Sequence, residues 1–318
     1  MKNVSKIYVG VDISKDNLDI YFYPIGKYFS VANSGIDIEE LIERLAEYDI
    51  AQIACESTGG YEKLLEYYLK KHSYTLWIVD PRRIKGFIIA SGCKSKTDKI
   101  DAQKIAEFAA KTLLDYKKIS KTENQEKIQA LANRKNDLLK FLVAEKIRLK
   151  HPVHRLSIPS IKKIIQVLTR EIESIDLQIQ SLIQQDDGLG KKSKILESIP
   201  GIGKATSAIL LSFVPELGML NNKQISALVG LCPYDYASGK YKGKKFIKGG
   251  RITPRNALYM CGLTTIKFYL PLKGFYDRLI ANNKPFKVAI VAVMHKLVVI
   301  ANSLIKKGEL CKANTIHY

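Results

Sequence analysis

The sequence predicts an α/β domain followed by a mainly helical region. Residues 6–81 show three strand patterns and then strands that alternate with amphipathic helices. Residues 122–187 contain no glycine and carry a heptad pattern, and residues 257–305 hold two strongly apolar helical runs. We therefore expect three segments, at residues 1–118, 119–190 and 191–318.

The charge and cysteine content narrow the class of protein. The chain has 318 residues and a net charge of +20, so it should attract polyanions. Nucleic acid is the first candidate, and a membrane surface is the competing one. We find no signal-peptide pattern and no run of 18 apolar residues, and we expect no membrane partner. The five cysteines are far apart, which predicts reduced thiols in a cytoplasmic protein and no zinc site.

The first segment begins with three short β-branched runs. They predict an antiparallel meander of strands at residues 6–13, 18–24 and 27–34. A helix capped by Asp37 should follow. The pattern then predicts a strand at 52–58, a helix at 61–71, a strand at 75–81 and a helix at 94–108.

Four acidic residues stand where an α/β sheet places active sites. Asp12 and Glu56 end predicted strands, and the ends of adjacent strands meet at one edge. Asp98 and Asp101 are three apart and share one helix face. Such carboxylates repel unless a cation lies between them. The pattern predicts one or two Mg²⁺ ions, with Mn²⁺ as the alternative, and phosphoryl-transfer chemistry.

The acidic pattern has a second interpretation. A D-x-x-D spacing is common on solvated helix surfaces, so the four acids alone do not decide for a metal site. Asp16 and Asp19 lie close to Asp12 in sequence, and we interpret both as surface or turn residues.

The middle segment carries an isoleucine-rich seam. Its apolar residues step by four and three: Ile161, Ile165, Leu168, Ile172, Ile175, Ile179 and Leu182. Pro152 and Pro159 separate this helix from an earlier one. We favour a coiled-coil oligomerisation arm because the seam is continuous; an intramolecular helical hairpin is the alternative.

Two stretches of the last segment are typical of phosphate binding. Gly201, Gly203 and Lys204 lie in I-P-G-I-G-K-A, which suggests a helix-hairpin-helix turn, although a simple glycine-rich connection has the same pattern. Farther on, a glycine-rich loop contains seven cations and no acid, with Tyr241 and Phe246 between them. These cations are Lys240, Lys242, Lys244, Lys245, Lys248, Arg251 and Arg255. Ser238 precedes them, and spacing alone favours an ordinary turn serine over a nucleophile.

Five motifs occur in the order found in one protein family: YVGVDISKDNLDI, ESTGGYEKLL, KTDKIDAQKIAEF, SIPGIGKATSAILL and SGKYKG followed by GGR. From about residue 6 to 308 the chain resembles the DEDD-type transposases of bacterial insertion sequences, also described as bridge-RNA-guided recombinases. The resemblance implies an RNase H-like, RuvC-like first domain in which Asp12, Glu56, Asp98 and Asp101 bind Mg²⁺. It also implies a C-terminal transposase domain whose serine corresponds to Ser238.

The resemblance further implies a mechanism and partners. Ser238 would attack the DNA backbone and form a phosphoserine. A structured RNA from the element would pair with donor and target DNA. The protein would form a homodimer or homotetramer with composite sites in the bacterial cytoplasm, near the nucleoid. Asp80 stands where asparagine is frequent in the family, which would add an acid near the metal site.

Three other functions are alternatives to DNA transposition. One is a junction-resolvase type of metal-dependent endonuclease, in which water is the nucleophile and Ser238 is structural. Another is an actin-like ATPase or sugar kinase, because V-G-V-D-I-S-K resembles such a phosphate loop, although no second glycine-rich loop follows. The third is a nucleic-acid-binding protein without catalysis.

Overall fold

The protein forms two compact units in a computed structural model. The structure describes residues 6–92, 95, 97–112, 121–151, 155–235, 237–238, 241–243 and 245–312. Residues 1–117 form unit 1 and residues 118–318 form unit 2. The predicted arm and the C-terminal segment thus fall in the same unit, and their separation as domains stays a prediction.

Unit 1 is built on a mixed five-stranded sheet. Its strands are β1 (Ile7–Ile13), β2 (Asn17–Tyr23), β3 (Lys27–Ala32), β4 (Ile50–Glu56) and β5 (Leu76–Val79). The spatial order is β3-β2-β1-β4-β5. The first three strands pair antiparallel, whereas β4 is parallel to β1 and to β5. The predicted α/β class and meander are confirmed, and the sheet is consistent with an RNase H-like domain.

Four helices accompany this sheet: α1 (Gly35–Ala46), α2 (Glu62–Lys71), α3 (Pro81–Ala90) and α4 (Asp98–Lys111). The prediction that Asp37 caps α1 was wrong. Ser34 is extended and accepts a hydrogen bond from the Asp37 N–H, which makes Ser34 the N-cap. The sequence reading missed α3, in which Pro81 occupies the first position, where its fixed φ suits a helix.

The two faces of the sheet have different neighbours because strand side chains alternate. One face packs on α1 and α2 through Val9, Val11, Leu18, Ile20 and Phe22 of β1 and β2. On the other face, Ala54, Trp77 and Val79 pack against Ile105 and Phe108 of α4. Residues 10, 12, 19 and 56 alternate onto the α4 face, and this brings the predicted strand-end acids towards α4.

Unit 2 begins with a helical hairpin. Helices α5 (Glu123–Lys150) and α6 (Ile158–Gln185) run antiparallel, with a 3₁₀ turn at Arg155–Ser157. Two contacts fix the direction: Lys135 lies 2.5 Å from Asp176, and Asn124 lies 3.3 Å from Asp186. Four residues of the predicted seam are buried, and its other three members, Ile165, Leu168 and Leu182, are partly buried. The buried four are Ile161, Ile172, Ile175 and Ile179, and Ile183, outside the predicted seam, is buried as well. The hairpin therefore packs within one chain, and association with a second chain stays a prediction.

Six further helices form the rest of the unit 2 core: α7 (Asp187–Glu197), α8 (Lys204–Phe213), α9 (Asn222–Leu228), α10 (Ile252–Phe268), α11 (Leu270–Ala281) and α12 (Phe286–Lys307). Among the helices that the structure describes, α12 is the one whose length and composition would allow it to cross a membrane, and half of that stretch is buried inside the unit. It packs against α7, α9, α10 and α11, as a core helix does.

The basic stretch forms short strands where the sequence suggested a flexible loop. The strands are β6 (Pro233–Tyr234), β7 (Ala237–Ser238), β8 (Tyr241–Lys242) and β9 (Phe246–Ile247). β6 pairs antiparallel with β9, and β7 pairs antiparallel with β8. The β7–β8 pair lies between β6 and β9 in the sequence, and we call these four strands the β-hairpin region.

Candidate active site and nucleic-acid interface

Gly10 allows α4 to lie directly on β1. A Cβ atom at Gly10 would stand 2.2 Å from the Ala102 carbonyl oxygen and 2.3 Å from the Ala106 nitrogen. Both neighbours are backbone atoms, which cannot rotate away. A glycine is therefore required at this crossing, and the close approach brings the first turn of α4 to the end of β1, where Asp12 lies.

The N-terminus of α4 presents Asp98 and Asp101. Thr97 is the N-cap, and its hydroxyl accepts a hydrogen bond from the Ile100 N–H at 3.3 Å. The two aspartates fall in the first turn, where the helix dipole stabilises negative charge. Asp98 is exposed and Asp101 is half-buried, so the pair faces the solvent edge of the sheet.

Asp12 is half-buried among other carboxylates. Its pKa is raised from 3.8 to about 6, first by burial and then by the negative charges of Asp101, Asp98 and Asp19. Carboxylates that shift one another in this way lie close together. The structure thus brings together three of the four acids that the sequence singled out.

Glu56 stands beside Asp12 on the next strand. The parallel register pairs Val11 with Cys55, and Asp12 and Glu56 each follow directly. Both therefore alternate to the α4 face of neighbouring strands, although the charges that raise the pKa of Asp12 are those of Asp101, Asp98 and Asp19 and not that of Glu56. It is half-buried at the end of β4.

A fifth acid belongs to this edge, and the sequence reading missed it. Asp19 lies opposite Asp12 in the β1–β2 register, and only 8% of it is exposed. The interpretation of Asp19 as a surface or turn residue was therefore wrong. Leu18, Ile20 and Phe22 are buried on one face of β2, and this alternation was the signal that Asp19 points to the other face, as Asp12 does.

Asp80 is already paired. Its carboxylate accepts hydrogen bonds from the Arg82 backbone N–H at 2.9 Å and from the Arg82 Nε at 3.0 Å. Arg82 holds the pKa of Asp80 down, at about 2. These contacts make Asp80 the N-cap of α3.

The acids suit a hard divalent cation in their chemistry. All donors at this edge are carboxylate oxygens, which Mg²⁺ and Mn²⁺ prefer. Within the residues that the structure describes, no three His, Cys, Asp or Glu side chains are placed so that they could share an ion. The negative charge of these carboxylates therefore suits a cation, and their side chains would have to move closer together to coordinate it.

The glycines of the predicted helix-hairpin-helix turn have different surroundings. Gly201 has φ +101°, and a Cβ there would lie 2.1 Å from the Thr265 Oγ1, so its role is close packing on α10. Gly203 is the N-cap of α8, is exposed and has open space around it. Lys204 is exposed beside it. Only the Gly203–Lys204 side of the turn leaves room for a phosphate.

The predicted nucleophile ends β7. Ser238 pairs with Tyr241 in the β7–β8 register. The side chains of Ser238 and Lys242, and all of Lys240 and Lys244, lie outside the described residues. Of the remaining lysines, Lys248 is exposed, and Lys245 is exposed while pairing with Asp235 at 2.8 Å.

Two arginines fasten this hairpin to the helical core. Arg251 donates to both carboxylate oxygens of Glu216, at 2.5 and 2.7 Å, and to the Phe213 carbonyl at 2.7 Å. Arg255 donates to the carbonyls of Gly249, at 2.7 Å, and Gly230, at 3.3 Å. These contacts are structural. Binding of nucleic acid by the two arginines, which the sequence suggested, stays a prediction.

Comparison with known proteins identifies the family of the chain. A family model described as a transposase of the DEDD, IS110 type matches residues 9–157. A second, described as "Transposase IS116/IS110/IS902 family", matches residues 193–277. The pilin gene-inverting proteins of Moraxella lacunata and Moraxella bovis are each 28% identical, with 96% of this chain and 98% of theirs aligned. The chain belongs to the IS110 family of transposases and is a DNA transposase/recombinase.

Proposed function

We propose that this enzyme cuts and rejoins DNA strands through a phosphoserine intermediate, using a divalent metal bound by Asp12, Glu56, Asp98 and Asp101. One observation carries the metal site: Asp12 is partly buried at the end of β1 beside the carboxylates of α4, and burial together with their negative charge raises its pKa to about 6. A group of carboxylates at a sheet edge, one of them with a strongly raised pKa, is a candidate functional site. In a DNA recombinase the natural occupant is a cation that also contacts phosphate.

The proposed chemistry conserves bonds. When bound, Mg²⁺ or Mn²⁺ would neutralise charge on the scissile phosphate and on the leaving oxygen. The Ser238 Oγ attacks phosphorus, the bond to a deoxyribose oxygen breaks, and the serine proton ends on that oxygen. In the second half of the reaction a deoxyribose hydroxyl attacks the phosphoserine and restores Ser238. No bond is lost, and therefore no ATP is required.

The proposed nucleic-acid contacts go to the backbone. The exposed, uncapped N-terminus of α8 at Gly203 and Lys204 suits a phosphate, as a helix-hairpin-helix motif would. Lys245 and Lys248 extend basic surface along the hairpin that ends in Ser238. Such contacts carry no sequence information. An element-encoded RNA that pairs with donor and target DNA would supply it, and the net charge of +20 suits two nucleic-acid partners.

The proposed assembly is a homodimer or homotetramer through the α5–α6 arm. The acids and Ser238 belong to different units of the chain, and in a composite site they would come from different protomers. Support comes from apolar side chains exposed on the half of the arm nearest its turn: Leu139, Phe141, Val143 and Ile147 on α5, and Ile164 and Val167 on α6. A second arm would cover them in a coiled-coil-like contact. We place the assembly in the bacterial cytoplasm with the nucleoid DNA.

The test of the covalent mechanism is a DNA–protein adduct. Full-length protein, element RNA, Mg²⁺ and labelled donor DNA are combined and separated on a denaturing gel. We expect an adduct for the wild type and for Ser174→Ala, an exposed serine on the arm. Ser238→Ala and Asp12→Asn should give none. An adduct that survives Ser238→Ala would rule out this serine as the nucleophile.

A water-using endonuclease is the second candidate. One observation favours it: all four acids lie in unit 1, which has apolar cores of its own. In that case Ser238→Ala would still release free cleaved DNA, without any adduct. The family assignment leaves no place for the ATPase or for the non-catalytic binding protein.

A further inference from the structure

Asp19 lies against the proposed metal site without belonging to the four acids assigned to it. The antiparallel register sets it directly opposite Asp12. Cross-strand partners on one face have Cβ atoms about 5 Å apart, and like charges so placed are unfavourable. Asp19 is therefore a buried acid that stands opposite another acid across the sheet.

The Tyr28 hydroxyl fixes the orientation of the Asp19 carboxylate. Tyr28 on β3 donates a hydrogen bond of 2.6 Å to the Asp19 Oδ1. The same bond raises the pKa of Tyr28 to about 12, so the phenol stays protonated as the donor.

Tyr28 also reaches the first turn of α4. The Lys99 Nζ lies 5.4 Å from the centre of the Tyr28 ring, within the range of a cation–π contact. Lys99 is between Asp98 and Asp101 in sequence. A chain of contacts thus runs from Asp19 on β2, through Tyr28 on β3, to the helical turn that carries two of the proposed ligands.

We propose that Asp19 is a positioning residue of the metal site: fixed by Tyr28, it faces Asp12 and adds a fifth negative charge that strengthens cation binding. This inference rests on the metal site proposed above. Asp19 acts through Asp12 and through the field at the site. Outer carboxylates that orient or polarise metal ligands typically change metal affinity by about 10–100-fold. The tyrosine that orients Asp19 should have a smaller effect in the same direction.

Metal affinity and metal-free stability should respond in opposite directions. Asp19→Asn keeps an oxygen that can accept the Tyr28 hydrogen bond, but it removes the charge opposite Asp12. Binding should therefore weaken, while the metal-free protein becomes no less stable. A merely structural Asp19 would give the reverse: lower stability and unchanged affinity.

The experiment measures the Mn²⁺ dissociation constant of the full chain by electron paramagnetic resonance of free Mn²⁺. Urea unfolding in EDTA is followed by the fluorescence of Trp77, the one tryptophan of the chain, which lies in unit 1. Asp19→Asn should raise the dissociation constant about tenfold or more, and Tyr28→Phe should raise it less. Asp16→Asn is the matched control, because it removes an exposed charge from the same β1–β2 connection.

The remaining outcomes are separable. Asp19→Asn that binds Mn²⁺ as tightly as Asp16→Asn would overturn the inference alone, provided that Asp12→Asn abolishes binding. If the wild type binds no Mn²⁺, or Asp12→Asn binds as the wild type does, the metal site itself is wrong and the role of Asp19 falls with it.

Discussion

Two carboxylates, Glu216 in unit 2 and Asp12 in unit 1, are withdrawn from water in opposite electrostatic surroundings. Glu216 is only 3% exposed, and the guanidinium of Arg251 matches both of its oxygens. Asp12 is half-buried, and the charges that act on it are those of other carboxylates. A buried charge with a full partner is part of the fold. A buried charge among like charges is strained, and strain of this kind points to function.

Removing Arg251 should have the largest effect on stability. Arg251→Ala leaves Glu216 buried without its partner, which typically costs about 3–5 kcal/mol. We expect the helical transition of unit 2, followed by circular dichroism at 222 nm in urea, to shift to lower denaturant. The Trp77 fluorescence transition of unit 1 should stay in place and serves as an internal reference.

Two variants sharpen this result. Lys223→Ala removes an exposed cation from α9 and should leave both transitions unchanged. Arg251→Met combined with Glu216→Leu removes both charges and should recover most of the loss, because no unpaired charge remains. If Arg251→Ala alone were as stable as Lys223→Ala, the pair would not be the structural contact that its geometry indicates.

Gly10 gives the second largest effect, because it controls the approach of α4 to β1. Gly10→Ala sets a methyl group 2.2 Å from the Ala102 oxygen, so α4 has to move. Overpacking of this kind costs about 1–3 kcal/mol. The Trp77 transition should fall, and Mn²⁺ affinity should fall as well because Asp98 and Asp101 move with α4.

Gly86 provides the matched control for Gly10. It lies in the interior of α3 with open space around it. Gly86→Ala should stabilise unit 1 by about 0.5–1 kcal/mol, since alanine is the better helix former. A Gly10→Ala protein that keeps wild-type stability and Mn²⁺ affinity would show that α4 does not need this close contact.

These residues show what sequence alone could predict. Short runs of β-branched residues predicted the meander, and Asp12 and Glu56 were singled out because each ends a predicted strand. Asp19 was missed because it was grouped with Asp16 as a turn residue near Asp12, whereas the strand pairing sets it opposite Asp12. Arg251 was grouped with the loop lysines because composition does not distinguish a cation with a buried partner. That partner, Glu216, is 35 residues earlier in the sequence, and only folding brings the two together.

The comparison also predicts a pH dependence for the metal-free protein. The pKa of Asp12 is raised in the fold from 3.8 to about 6, so the folded state binds the proton more tightly. Protonation of Asp12 therefore stabilises the fold at low pH, and this contribution is lost as the pH rises through about 6. Asp12→Asn, which carries no charge, should gain on the order of 1 kcal/mol over the wild type at pH 7.5 after allowance for solvent screening.

The measurement is Trp77-detected urea unfolding in EDTA at pH 5 and pH 7.5. The advantage of Asp12→Asn should be largest at pH 7.5 and fall to roughly half at pH 5, which lies between the unfolded and the folded pKa of Asp12. Saturating Mg²⁺ should stabilise the wild type at pH 7.5 and leave Asp12→Asn unaffected. An advantage that is equal at both pH values would mean that the fold does not raise the pKa of Asp12.

Lys245 gives the smallest effect on stability and tests the role of burial in the comparison. Its ion pair with Asp235 at 2.8 Å is exposed on both sides, and such pairs are worth about 0–1 kcal/mol. Lys245→Ala should therefore leave the unit 2 transition nearly unchanged, unlike Arg251→Ala.

Lys245 also provides a test of DNA binding. If Lys245 contacts a phosphate, the slope of log K against log salt for DNA binding should become shallower by about one in Lys245→Ala. Lys284→Ala, an exposed lysine that precedes α12, is the control and should keep the slope. Arg251, which is paired with a buried acid, would then stabilise the fold, whereas Lys245, which is paired at the surface, would bind DNA. An unchanged slope for Lys245→Ala would show that Lys245 does not contact DNA.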